Sequence, residues 1–136
     1  MTAPLKAPPV PCGSCPYRRD VPSGIWAEHE YDKLVAYDTI TMAQPAGVFM
    51  CHQRDGCICG GWLACHPHTG PNALLALRYA EMKGELDESV YTYRTDVPLF
   101  SSGEEARAHG IKDIDEPGQK ARKMVSGLVR KMKVKT

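Results

Sequence analysis

Apolar and polar residues along this chain fall into short blocks, each with its own period. Trp26, Tyr31, Leu34 and Val35 form a rough apolar stripe at helical spacing behind Ser23, a good cap residue, so a helix is predicted over 24–37. Residues 47–51 (Gly-Val-Phe-Met-Cys) read as a short buried strand. A second helix fits 71–83, with Pro71 in its first turn and Gly84 to end it. Residues 88–95 read as extended. Ser102-Gly-Glu-Glu105 has the form of a capping box and predicts a helix over 103–109, ended by Gly110. Asp115-Glu-Pro117-Gly opens a last helix over 117–132. The stretch 52–70, rich in Cys, His and Gly, has few positions for ordinary packing and reads as a loop folded around something. The expected fold is therefore α+β and mainly helical, one small domain with little sheet, organised around a Cys-rich metal site.

Three segments follow from the same pattern: an extended, proline-rich arm at 1–11, a Cys-rich metal-binding domain at 12–116, and a basic amphipathic helix at 117–136. With 136 residues the chain has room for one domain and a modest core. Only two Trp and two Phe are present, so a metal cross-link would help that core. The first residues lack the apolar run of a signal peptide, and nowhere do about eighteen apolar residues run together. The expectation is a cytoplasmic protein with no membrane contact. In a reducing compartment six cysteines point to ligands or redox groups rather than to disulfides.

Cys12-Gly-Ser-Cys15 is a Cys-x2-Cys pair whose small central residues let backbone amides face the sulfurs. Between residues 51 and 68 lie four more cysteines (Cys51, Cys57, Cys59, Cys65) and three histidines (His52, His66, His68). A tetrahedral zinc needs four Cys or His ligands, and a four-iron cluster needs four thiolates. Cys12, Cys15, Cys51 and Cys59 are the favoured set, with Cys57, Cys65 and His66 in reserve, because spacing alone does not separate Cys59 from Cys57 or Cys65. Zinc is favoured over iron–sulfur, since the closely spaced triplet of bacterial ferredoxins is absent. A redox dithiol at Cys12 and Cys15 is the weaker reading, because prolines flank the pair and no strand feeds it.

Charge is unevenly spread. Residues 117–136 carry seven basic and no acidic side chains, while the rest holds ten basic against sixteen acidic, a net of −6. In the tail Ala121, Met124, Val125, Leu128, Val129 and Met132 form one apolar stripe. Lys120, Arg122, Lys123, Arg130, Lys131 and Lys133 are candidates for contacting nucleic acid or a nucleic-acid-bound protein. The bland alternative is a helix packed on the body whose basic face balances the acidic remainder. No Walker loop, Gly-x-Ser-x-Gly elbow or His-Glu-x-x-His motif is present, so the balance leans away from an enzyme. The rival is a redox or metal-dependent enzyme working through the cysteines.

Three stretches carry a family resemblance: Pro11-Cys-Gly-Ser-Cys-Pro-Tyr-Arg-Arg-Asp-Val-Pro-Ser-Gly24, Phe49-Met-Cys-His52 and Cys59-Gly-Gly-Trp-Leu-Ala-Cys-His66. Over roughly residues 11–110 the chain resembles a family of small cysteine-rich proteins of unknown function from actinobacteria and their phages. The resemblance implies Cys12, Cys15, Cys51 and Cys59 as the matching cysteines and brings no activity with it. Binding to a host protein is a further expectation from the phage connection.

Overall fold

The computed structural model describes residues 4–51 and 53–135, with side chains as far as residue 129. Five helices account for nearly all of its regular structure: α1 (Glu28–Val35), α2 (Gly60–Cys65), α3 (Leu75–Met82), α4 (Gly103–Ile111) and α5 (Gln119–Lys135). Single 3-10 turns at Thr41–Ala43 and Glu88–Val90 join them. The protein is mainly helical, as its sequence pattern implies. Among the described residues the β component reduces to four isolated bridges. Two of these are parallel and dock the N-terminal segment on the body, Leu5 beside Leu86 and Lys6 beside Cys57. No described helix is long and apolar enough to cross a membrane.

Several boundaries differ from the sequence expectation, each for a physical reason. Helix α1 begins at Glu28 behind Ala27, with no side-chain cap. Ser23 instead donates to the Gly110 carbonyl (3.0 Å) and accepts from the Asp113 amide (2.8 Å), tying the chain before α1 to the end of α4. Gly110 lies inside α4 and does not end it. A Cβ there would sit 2.2 Å from the Tyr31 ring, so this glycine exists to let α1 and α4 touch. The capping box stands as read: Ser102 Oγ accepts from the Glu105 amide at 3.1 Å. Helix α3 starts at Leu75, later than the pattern suggested, and Gly84 (φ 68°) closes it in the left-handed conformation. Residues 88–95 hold a 3-10 turn rather than a strand. The presumed strand at 47–51 is one antiparallel bridge, Met50 with Ile58. Helix α2 lies inside the stretch whose pattern reads as loop, because six residues with two leading glycines offer no periodic signal.

The core gathers most of the scarce aromatics. Trp62, wholly buried, meets Tyr37 edge-on at 5.3 Å, and Phe49 meets both Tyr37 and Tyr17 edge-on at 6.3 Å. Such edge-to-face pairs add about 0.5–1.5 kcal/mol beyond area burial. Leu34, Ile58, Leu63, Leu74 and Val90 fill the space around them. A second, smaller cluster seats α5: Ala121 and Leu128 are buried against Val21 and Ile25, with Met124 and Val125 at its margin. Val129 is exposed, and the Met132 side chain lies outside the described residues.

Candidate functional site

Three pieces of backbone converge beneath the aromatic core. The first is the turn Cys12–Cys15, closed by the Cys15 amide donating to the Cys12 carbonyl (3.0 Å). The Trp26 indole donates to the Ser14 carbonyl at 2.9 Å and holds this turn from outside. The second is the loop that carries Cys51. Its Gln53 amide side chain donates to Ser14 Oγ, and its Arg54 guanidinium donates to the Val10 carbonyl (2.9 Å). The third is the start of α2 with Cys59 as its cap residue.

These pieces bring four thiols together as two pairs. Cys59 donates to Cys15, with the sulfurs 3.7 Å apart. Cys12 donates to Cys51. The pairs lie close enough that Cys15 feels the charge at Cys51, and Cys59 that at Cys12. In each pair one sulfur is pushed toward the thiolate and the other toward the thiol. Accepting from Cys12 pulls Cys51 down to about 5, helped by the backbone amides of Gln53 and Arg54 and by the Arg54 charge. Accepting from Cys59, and from the Tyr17 and Gly61 amides, lowers Cys15. The partners move the other way: Cys12 rises because it donates to Cys51, Cys59 because it is wholly buried and donates to Cys15.

Gly61 makes the second pair feasible. A Cβ at this position would lie 2.5 Å from Cys15 Sγ and 2.5 Å from Tyr17 Cβ. Only a glycine lets the first turn of α2 approach the sulfur closely enough to donate its amide. The visible signal was the Gly60-Gly61 doublet directly after Cys59. The supporting roles of Ser14, Gln53 and Trp26 left no trace in the sequence pattern.

Of the reserve ligands, Cys57 contributes backbone, its carbonyl accepting from the Cys51 amide at 2.9 Å. Cys65 ends α2 and is pushed up to about 12 by burial and by the nearby Asp38 carboxylate. His66 is buried with both ring nitrogens engaged, Nδ1 at 3.0 Å from the Trp62 carbonyl and Nε2 at 3.1 Å from Asp38 Oδ1. His52 lies outside the described residues. Among the described residues no group of three or more His, Cys, Asp or Glu stands in a ready metal-holding arrangement. Their donor chemistry nonetheless suits one: four thiols in two neighbouring pairs, with backbone amides aimed at three of the sulfurs.

Lys120, Arg122 and Lys123 are exposed on α5 while Ala121 is buried. Arg122 also donates to the Pro117 carbonyl at 2.8 Å. The side chains of Arg130, Lys131 and Lys133 lie outside the described residues.

Fold and site together define a small, mainly helical, cysteine-rich domain whose N-terminal segment is tied to a central loop through paired thiols. The chain belongs to a family of unknown function, DUF6283, which matches residues 7–130 and so spans both the paired cysteines and most of α5. No curated protein and no solved structure matches it.

Proposed function

We propose that this protein is a metal-stabilised binding module in which Cys12, Cys15, Cys51 and Cys59 hold a single metal centre, zinc in preference to iron–sulfur. The carrying observation is the pairing of four thiols from segments far apart in sequence, with backbone amides directed at them. A thiolate is a ligand only once its proton has left, and amides pointing at sulfur favour that state. When bound, the metal would supply a cross-link between the N-terminal segment and the central loop, and its binding free energy would be folding free energy. Trp26, Gln53 and Gly61 then serve as the supports that hold the sulfurs in place.

The module's working surface, in this reading, is the basic side of α5, acting on nucleic acid or a nucleic-acid-bound protein of a regulatory assembly. Lys120 and Lys123 support it, exposed on a helix whose apolar side is seated on the body.

Two measurements test the two halves. Metal analysis with a visible spectrum, on protein purified without oxygen, should find one zinc per chain and no colour. Iron with sulfide and broad absorption would move the assignment to a cluster, and protein purified with no bound metal would end it. Lys120→Glu with Lys123→Glu should weaken retention on nucleic acid and flatten its salt dependence, since each lost phosphate contact removes about 0.9 from the log–log slope. Unchanged retention would refute the surface.

A further inference from the structure

The two thiol pairs differ in how they meet solvent. Cys15 and Cys59 are 1% and 3% exposed. Cys12 is buried as well. Cys51, its hydrogen-bonded partner, is half-buried and lines an open groove of about 450 Å³. Lys33, Tyr37, Gly47, Phe49 and Met50 form the walls beside it. The Tyr37 hydroxyl donates to the Gly47 carbonyl at 2.7 Å and fixes that rim. One cysteine of the four therefore borders an open groove, and its neighbour Cys12 is shielded.

We propose that Cys51 is an oxidative modification site reached through this groove, with hydrogen peroxide as co-substrate and Cys12 as the resolving thiol. The inference deepens the metal-centre reading and rests on it for the consequence, loss of the metal. Chemically, the Cys51 thiolate attacks one peroxide oxygen. An S–O bond forms, the O–O bond breaks, and the departing hydroxide takes up a proton to become water. The Cys12 sulfur then attacks the Cys51 sulfenic sulfur. The S–S bond forms, the S–O bond breaks, and the departing hydroxide takes up a proton from solvent to become a second water. Two thiols are oxidised by two electrons and one peroxide is reduced to two waters. Two of four donors are withdrawn, so the metal is lost and the N-terminal segment is held by a disulfide instead. The Cys15–Cys59 pair, sealed from solvent, stays reduced.

The test is a hydrogen peroxide titration of the full-length, metal-loaded protein, with thiol mapping by mass spectrometry and zinc release followed by a chromogenic chelator. The expected first product is a Cys12–Cys51 disulfide formed in step with zinc release. Gly47 has no atom within 4 Å of a built Cβ and an ordinary backbone, so Gly47→Trp should plug the groove without disturbing the fold. It should slow both signals several-fold at unchanged metal content, while Cys57→Ser leaves the order of oxidation unaltered. A Cys15–Cys59 disulfide appearing first would overturn the proposal. So would zinc release with Cys12 and Cys51 still reduced, or a Gly47→Trp rate equal to wild type. If the purified protein carries no metal, the metal reading falls, and the order of thiol oxidation in that same protein still decides whether Cys51 is the entry point.

Discussion

Replacing Asp38 with alanine removes one carboxylate that serves two helices. Its Oδ1 accepts from the Gly103 amide (3.0 Å) and its Oδ2 from the Glu104 amide (2.7 Å). Ser102 Oγ takes the Glu105 amide, and the Ala106 amide begins the helical ladder on the Ser102 carbonyl. The free Gly103, Glu104 and Glu105 amides at the start of α4 are thus accounted for, two of them by Asp38. The same Oδ1 faces His66 Nε2 at 3.1 Å, on a ring whose side chain is 5% exposed. Loss of a capping acceptor costs about 0.5–2 kcal/mol. Stranding a buried polar group costs about 1–3 kcal/mol. The Asp38 side chain is itself 17% exposed, so water recovers part of the loss. The net expectation for Asp38→Ala is about 2–3 kcal/mol by urea unfolding, or roughly 6–15 °C in Tm for a chain of this size. Asp38→Asn keeps one acceptor oxygen and should lose about half as much. If Asp38→Ala stayed within about 0.5 kcal/mol of wild type, the behaviour of an ordinary surface change, the carboxylate would not be the joint described here.

Gly61→Ala should be among the most damaging single-methyl changes in the chain, because the new carbon would press on the Cys15 sulfur and the Tyr17 side chain. Overpacking of this kind costs about 1–3 kcal/mol, and metal content should fall with stability. Gly118→Ala, where a built Cβ meets nothing within 4 Å, is the matched control. The lowered Cys51 group sets a pH dependence in metal-free protein. Between its folded value of about 5 and its ordinary 9.0 it is ionised when folded and protonated when unfolded. Its stabilisation is present above pH 9 and is lost as pH falls through 5. The urea midpoint should therefore climb across this window, and Cys51→Ser should remove part of the climb; an identical slope in the variant would contradict the assignment.

What could be read from sequence was whatever lay within a few residues. Ser102 and Glu105 are three apart, so the α4 cap was legible, and the spacing of Ala121, Met124, Val125 and Leu128 was enough to find α5 and its seated side. The Cys-x2-Cys turn marked one half of the site for the same reason. The choice among Cys57, Cys59 and Cys65 was not legible from spacing, because it depends on which sulfur α2 points toward the turn. Asp38 gave no signal at all, since its partners lie 28 to 66 residues away. Ser23 and Gly110 misled in a related way. Each looks like local punctuation, a start and a stop, yet both are spent on contacts between α4 and distant segments.

The separation of Cys15 from Cys59 has a consequence during synthesis. The two sulfurs that touch in the folded protein are 44 residues apart along the chain. At about 5–20 residues per second, translation delivers the second roughly 2–9 s after the first. For that interval the Cys12–Cys15 turn is a bare dithiol on a nascent chain, without the Gly61 amide that shelters it in the folded protein. Order of emergence thus makes one of the most deeply buried sulfurs of the finished molecule one of the earliest exposed.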